Sequence, residues 1–174
     1  MLHHEAMIGG TNAIEGRVRS LLNALGVDHT AVPCDPELAD TAAFCSHYGY
    51  PLESSANTIV VAARREPDAV CACVVLATTR LDVNHTVCDL LGVRKASFAS
   101  AEQTQAITGM LIGGVTPFGL PGHVPLYIDA HVMEREWVIV GGGSRSIKLR
   151  IRPDALLRIT GARVIKGLAG GVAS

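Results

Sequence analysis

Apolar residues recur at spacings of three and four over four stretches of the chain, which predicts four helices. The clearest covers residues 12–25, where Asn12 and Glu15 fit a capping box and Gly26 fits a C-terminal stop. Asp35 and Pro36 suit the cap and first position of a second helix. The remaining predictions cover residues 35–47, 81–91 and 100–108. The last of these also begins with a capping-box sequence.

Strand-like runs lie between these helices. Residues 57–63 and 69–77 are rich in β-branched and small apolar residues, and the turn at 65–68 between them predicts a hairpin. Residues 147–151 alternate strictly between apolar and basic, which predicts a strand with one solvent-facing side. Shorter strands are expected at 27–32, 95–98, 126–129, 137–140 and 162–168.

The order of these elements predicts the fold class. Hairpins outnumber regular β–α–β units, so we expect an α+β single domain with a curved, mostly antiparallel mixed sheet flanked by helices. Residues 1–11 lack periodicity and are expected to be a flexible N-terminus. The domain proper is expected to cover 12–168, and 169–174 to form a C-terminal tail.

Composition narrows the class of protein. Hydrophobic residues make up 48% and charged residues 18% of the 174 residues, which excludes a disordered chain. The sequence contains neither the apolar run of about 18 residues that a membrane span needs nor the start of a signal peptide. A cytoplasmic protein that contacts no membrane is therefore expected. Five cysteines without a CxxC pair predict free buried thiols, and no metal or cofactor is expected.

Charge is distributed unevenly along the chain. Residues 141–174 carry seven basic residues and one acid, a net charge of +6, whereas residues 1–140 carry eight basic residues and fifteen acids, a net charge of −7. Two interpretations stay open: a basic edge of an ordinary globular surface, or a local face for an anionic partner such as RNA.

Residues 109–122 form the most unusual segment, with five glycines and two prolines. Such a loop either connects two elements at the surface or offers backbone N–H groups to a carbonyl or phosphate of a ligand. It matches neither a Walker A motif nor GxGxxG, so nucleotide binding of those kinds is not expected.

This loop resembles the GxxxP loop of the YbaK/prolyl-tRNA synthetase-associated editing domains. Other blocks match that family in the correct order and extend the resemblance over most of residues 14–168. They are residues 57–60, 91–97 with 99–102, 127–129, and 138–143 leading into 149–154. The resemblance implies the α+β fold and hydrolysis, in trans, of the ester that joins an amino acid to a mischarged tRNA. It also implies the aminoacylated tRNA 3′ end as partner, an aminoacyl-tRNA synthetase as a possible second partner, and no metal or protein nucleophile.

The resemblance further implies which residues form the site. The catalytic residues would be Asn57, Gly113 and Asp129. The substrate-binding residues would be Thr58, Gly114, Thr116, Pro117, Phe118, Gly119, Gly142, Gly143 and Ser144. In this assignment the loop donates backbone hydrogen bonds to the aminoacyl carbonyl, Phe118 lines the pocket, and residues 142–144 form the facing rim.

One position departs from the family pattern. The family's editing enzymes carry a lysine at the start of the strand, where this chain has Asn57. A neutral amide gives a weaker hydrogen bond than an ammonium group, by roughly 1–2 kcal/mol. The main hypothesis is therefore an aminoacyl-tRNA deacylase that uses electrostatic rather than covalent catalysis. The alternative is a non-catalytic family member that binds an aminoacyl group, a tRNA 3′ end or a small metabolite.

Overall fold

The fold is built around a five-stranded mixed sheet. The computed structural model describes residues 2–171, with side chains from residue 13 onward. The five strands, in spatial order, are β5 (Ala96–Phe98), β2 (Ala56–Ala63), β3 (Val70–Leu76), β6 (Leu126–Asp129) and β9 (Arg163–Ile165). The predicted hairpin is confirmed, since β2 and β3 pair antiparallel with Asn57 opposite Val75. The pairs β3–β6 and β6–β9 are parallel.

A second, three-stranded antiparallel sheet packs beside the first. Its strands, in spatial order, are β1 (His29–Pro33), β8 (Ile147–Ile151) and β7 (Val138–Gly141). A single bridge between Ser55 and Ile139 connects the two sheets immediately before β2 begins. A short pair, β4 (Arg80–Leu81) with β10 (Ala169–Gly170), completes the strands of the described chain. The predicted α+β class with a mixed, mostly antiparallel arrangement is confirmed.

Helices flank these sheets, and their bounds differ from the predictions in three places. The predicted helix over 81–91 is one of them, since only Cys88–Leu91 is α-helical and Val83–Val87 forms a π turn. The helices are α1 (Leu2–Ala24), α2 (Thr41–Tyr48), α3 (Cys88–Leu91), α4 (Ala101–Thr108) and α5 (Ala130–Met133). The predicted start of α1 at Asn12 is wrong, because the helix begins ten residues earlier. The predicted helix over 35–47 is divided into a 3₁₀ turn at Pro36–Leu38 and α2.

Irregular helical turns complete the chain. They are 3₁₀ turns at Leu52–Ser54 and Pro153–Arg158 and a π turn at Val83–Val87 that leads into α3. The capping box of α4 is confirmed: Ser100 accepts from the backbone of Gln103, and the Gln103 side chain accepts from the Ser100 backbone.

The two faces of the large sheet cover separate cores. Val18 and Leu22 of α1 pack with Val74 and Ile128 in the main cluster, which also includes Leu149 of the small sheet. On the opposite face, the predicted free thiols Cys71 and Cys73 are buried with their sulfur atoms 3.8 Å apart. Each core therefore contains side chains from elements that are far apart in the sequence.

The predicted boundaries are only partly covered by the described residues. Met1 and residues 172–174 lie outside them, while residues 169–170 of the expected tail form β10 against β4. Within the described chain, no helix is both long enough and apolar enough to span a bilayer.

Candidate active site

A cavity of about 270 Å³ opens where the two sheets meet the glycine-rich loop. Five segments line it: the first turn of α2, the start of β2, the end of β7, the loop, and β8 through Lys148. The lining residues are Asp40, Thr41, Phe44, Ser55, Ala56, Asn57, Thr58, Ile59, Ile112, Gly113, Val115, Ile139, Val140, Gly141 and Lys148. Of the twelve predicted site residues, the cavity thus brings together Asn57, Thr58 and Gly113.

The loop reaches the cavity because its glycines allow it to turn and to pack closely. Gly113 has a φ of +91°, in the region that favours glycine. Gly141 of β7 lies so close to the loop that a Cβ atom there would be 2.0 Å from the carbonyl oxygen of Val115. The loop backbone is therefore held against β7.

The part of the loop that lines the cavity contains backbone N–H groups without a partner. Its neighbouring N–H groups are used internally: Gly114 donates to the carbonyl of Leu111, and Thr116 donates to the sulfur of Met110. The N–H groups of Gly113 and Val115 make no hydrogen bond to any residue in the described part of the chain. Such a pair suits an oxygen atom that carries or gains negative charge.

Asn57 presents its amide to the same cavity from β2. Its Oδ1 accepts a hydrogen bond of 2.5 Å from the Thr41 hydroxyl, and no described residue accepts from its Nδ2. The next residue, Thr58, also lines the cavity, and its hydroxyl is buried without a partner among the described residues. At the start of β2, the Asn57 Nδ2 is therefore the unpaired donor available to a ligand, whereas the Thr58 hydroxyl is enclosed by the protein.

Lys148 lies in the cavity wall, although the sequence predicted it on a solvent-facing side of its strand. The prediction is wrong at this position because α2 covers that side of β8: Lys148 is 6% exposed, with its Nζ 5.6 Å from the Phe44 ring centroid. Its Nζ donates to the carbonyl oxygens of Ala39 and Gly113, both at 2.6 Å. Desolvation by burial lowers the pKa of Lys148 below that of an ordinary lysine.

Arg145 ties the loop to the opposite wall. It donates to the carbonyl oxygens of Ile112, at 2.7 Å, and Pro36, at 3.0 Å, and it forms an ion pair with Asp40. Because this pair balances the Asp40 charge, Lys148 is the one unbalanced cation among the described lining residues. In the sequence, the alternation of apolar and basic residues over 147–151 was the signal for Lys148, and Arg145 lies outside that pattern.

The structure places the other predicted site residues outside the cavity lining. Asp129 is fully buried and caps α5 while accepting from the Ala169 backbone, which occupies both carboxylate oxygens. Phe118 is fully buried in the main core. Thr116 and Pro117 are buried, Gly119 is exposed, and none of them lines the cavity.

The predicted rim, residues 142–144, packs against the loop and does not line the cavity. Gly143 donates its backbone N–H to the carbonyl of Gly114, and the Ser144 hydroxyl bonds the carboxylate of Glu15 in α1. A Cβ on Gly114 would be 2.5 Å from the Ser144 backbone. Gly141, one residue before the predicted rim at Gly142, is the residue that lines the cavity.

Metal-ligating side chains do not cluster in the described part of the chain. No group of three or more histidine, cysteine, aspartate or glutamate side chains is placed there to hold a metal ion. The polar groups that the cavity-lining residues leave unpaired within the described chain include backbone N–H groups of the loop, the amide of Asn57 and one donor of the Lys148 ammonium.

Comparison with known proteins identifies the family. Residues 35–159, most of the chain, match the family model described as the aminoacyl-tRNA editing domain. The chain belongs to the aminoacyl-tRNA editing domain family. The matched range contains all the residues that line the cavity.

Individual relatives agree with this membership. EbsC of Enterococcus faecalis, described as a Cys-tRNA(Pro)/Cys-tRNA(Cys) deacylase, is 28% identical over 69 residues. That match covers 40% of this chain and 42% of EbsC, less than half of either protein.

Two solved structures share the fold of this editing domain over almost its full length. The protein APE2540 superimposes with a TM-score of 0.78 at 25% identity, covering 88% of this chain and 99% of its own. A structure described as a trans-editing enzyme for prolyl tRNA synthetase has a TM-score of 0.75 at 25% identity, with coverage of 90% and 97%.

Proposed function

We propose that this chain hydrolyses the ester bond of a mischarged aminoacyl-tRNA, acting in trans as a free-standing deacylase. The observation that carries the proposal is a cavity lined both by Gly113 and Val115, whose backbone N–H groups have no partner among the described residues, and by Asn57. An aminoacyl ester has a carbonyl oxygen that can accept hydrogen bonds from the backbone N–H groups. It also has other polar groups that can bind the Asn57 amide.

The size and lining of the cavity support a small acyl group. Its volume of about 270 Å³ lies just below the roughly 300–1,000 Å³ typical of pockets that enclose drug-sized ligands. The apolar part of the wall is formed by Phe44, Ile59 and Ile139. An amino acid with a small side chain fits this space, while the nucleotides of the tRNA end remain outside.

The reaction needs no protein nucleophile, because an ester of this kind is activated enough for a positioned water molecule to attack it. The protein's contribution is to hold the carbonyl and to stabilise the negative charge that develops on its oxygen. A prolyl-tRNA synthetase partner would supply the mischarged substrate, in line with the description of the structural relative.

The test is incubation of the purified chain with a panel of mischarged tRNAs, scored by release of free amino acid. Gly113→Ala is the informative variant: Gly113 lines the cavity with a φ of +91°, so a Cβ there strains the backbone of the cavity wall and also lies 2.2 Å from the Arg145 guanidinium. Gly109→Ala is the matched control: its φ of +74° is also left-handed, but its Cβ would meet nothing within 4 Å.

We expect the wild type and Gly109→Ala to release amino acid from at least one tRNA, and Gly113→Ala to lose most of this activity. Equal rates for the two variants, or no release from any tRNA by the wild type, would overturn the proposal.

The neutral side chain of Asn57 favours a second candidate, a module that binds the aminoacyl end without cutting it. In that case the wild type would bind a non-hydrolysable aminoacyl analogue and leave every aminoacyl ester in the panel intact.

A further inference from the structure

The structure contains an ammonium group at the site that the sequence did not assign. Lys148 reaches the cavity from β8, across the wall from β2. Its strand neighbours are Gly141 on one side and Val32 on the other, so its backbone is fixed in the middle of the small sheet. The position of the ammonium is therefore set by a sheet rather than by a flexible loop.

The hydrogen-bond inventory of Lys148 leaves one donor for a ligand. A lysine ammonium has three N–H donors. Two are directed to the carbonyl oxygens of Ala39 and Gly113, and no described residue accepts the third. Since Lys148 lines the cavity at 6% exposure, an acceptor for the third donor must come from the cavity.

The contact with Gly113 also places this charge beside the two free backbone donors. Nζ lies 2.6 Å from the Gly113 carbonyl oxygen, and the N–H groups of Gly113 and Val115 have no partner among the described residues. Lys148, Gly113 and Val115 all line the cavity, so the ammonium and the unpaired backbone N–H groups belong to the same part of its wall. This combination resembles the donor set expected around an oxygen atom that becomes negatively charged.

We propose that Lys148 is a catalytic residue of this chain, donating a hydrogen bond to the carbonyl oxygen of the bound aminoacyl ester. The inference rests on the proposed deacylase function. Water adds to the carbonyl carbon, the C=O electron pair moves onto the oxygen that Lys148 contacts, and the ester C–O bond then breaks. The proton lost by water ends on the departing ribose oxygen, which releases a free amino acid and an intact tRNA.

Lys148 thereby supplies the positive charge that the neutral Asn57 lacks. Both residues line the cavity, so a lysine placed at position 57 can substitute for a missing one at position 148. This predicts that a lysine at position 57 restores activity to a variant that lacks Lys148. If the role of Lys148 were purely structural, no such recovery would occur.

The first measurement is hydrolysis by three variants: Lys148→Met, Lys148→Arg and the double variant Asn57→Lys/Lys148→Met. Removing one oxyanion donor costs about 100-fold or more in kcat, so we expect that loss for Lys148→Met. Lys148→Arg keeps the charge and should keep most of the activity. The double variant should recover about tenfold over Lys148→Met, the range expected for one charge-assisted hydrogen bond.

Arg145→Met is the control for loop support. Arg145 holds the same loop through Ile112 but is not part of the cavity lining. Loosening of the loop would lower the thermal unfolding midpoint of both Arg145→Met and Lys148→Met. Only the latter should lose activity far beyond its loss of stability. Matching losses in the two variants, with no recovery in the double variant, would overturn the assignment.

Binding gives a readout that does not depend on turnover. The probe is amide-linked 3′-alanylamino-3′-deoxyadenosine, with its cysteinyl and prolyl analogues, titrated by calorimetry. We expect Lys148→Met to weaken binding of whichever analogue binds the wild type by at least tenfold. Binding that is unchanged in Lys148→Met contradicts the inference, and absence of both binding and hydrolysis in the wild type contradicts the inference and the proposed function together.

If the wild type binds but does not hydrolyse, the deacylase proposal and the catalytic role fail. Hydrolysis by the wild type that persists in Lys148→Met removes only the role of Lys148. The two proposals therefore fail in distinguishable ways.

A pH series separates the ammonium from other groups. Cys34, Cys45, Asp40 and Arg145 are the titratable and charged groups that face Lys148, and burial lowers its pKa below the ordinary 10.5. Arginine stays protonated throughout this range. As pH rises, probe binding should therefore weaken in the wild type before it weakens in Lys148→Arg, and superimposable pH profiles would count against a charged Lys148.

Discussion

Single residues in the cavity wall carry polar groups that are not used for folding. Thr58 is the clearest example, since its hydroxyl is buried and has no partner among the described residues. An unsatisfied buried polar group costs about 1–3 kcal/mol. The Thr58 hydroxyl is thus a cost to the fold beside the cavity.

Replacing Thr58 with valine should therefore stabilise the free protein. The substitution keeps the shape and removes the unsatisfied hydroxyl, so we expect the free energy of unfolding to rise by about 1 kcal/mol. Urea unfolding followed by circular dichroism measures it.

Thr108→Val is the matched control for this prediction. The Thr108 hydroxyl donates to the carbonyl of Thr104 and accepts from the backbone of Met110, so its loss should destabilise the protein. Lower stability in Thr58→Val as well would mean that its hydroxyl has a partner, such as a water molecule, that supports the fold.

The sequence predicted part of the site because local patterns carry that part. A strand start at Asn57 and a glycine at position 113 are visible in the chain itself, and both line the cavity. Lys148 was missed because alternation along β8 shows which residues share a face but not what covers that face. The aromatic side chain of Phe44, about a hundred positions earlier in the sequence, covers it.

Helix α4 determines where the loop begins. Helix α4 has a confirmed capping box at Ser100 and ends at Gly109 with a φ of +74°. The helix therefore starts and stops at fixed residues, and the loop leaves it in a defined direction. We infer that the rigidity of α4 contributes to the placement of Gly113.

Ser100→Ala tests this at the level of the element. Loss of an N-cap side chain costs about 0.5–2 kcal/mol, so we expect a fall of about 1 kcal/mol in the free energy of unfolding. Ser100→Gly is the control, because glycine at an N-cap costs only a few tenths of a kcal/mol relative to serine. Because both variants lack the hydroxyl, the absence of a measurable loss in Ser100→Ala in chemical denaturation would show that the capping hydroxyl contributes little here.

Element types were predicted better than element ends. The β2–β3 hairpin is encoded by two apolar runs around a turn, and both bounds fall within one residue of the prediction. The start of α1 was placed at Asn12 because a capping sequence occurs there, but the backbone continues as helix from Leu2. A capping sequence permits a helix to begin and does not require it.

At the scale of the whole molecule, most of the basic C-terminal segment is engaged within the protein. Arg145 and Lys148 hold the loop, and Arg158 donates to the carbonyl oxygens of Leu25 and Gly26 at the end of α1. Arg150 stacks over the Trp137 ring at 4.2 Å. Of the two interpretations of this segment, these contacts favour the basic edge of an ordinary globular surface over a local face for an anionic partner.

Binding of tRNA should accordingly depend weakly on salt. If all seven basic residues of the segment contacted phosphates, the slope of log K against log[salt] would be about −5 for a single-stranded end. With most of these side chains engaged internally, and a net charge of −7 over the first 140 residues, we expect a slope of about −1 to −2. Affinity for a minihelix with an amide-linked aminoacyl end, measured from 50 to 300 mM salt, provides the slope. A value near −5 would show that these arginines leave their intramolecular partners to bind RNA, whereas a shallow slope places recognition at the aminoacyl end, where the cavity lies.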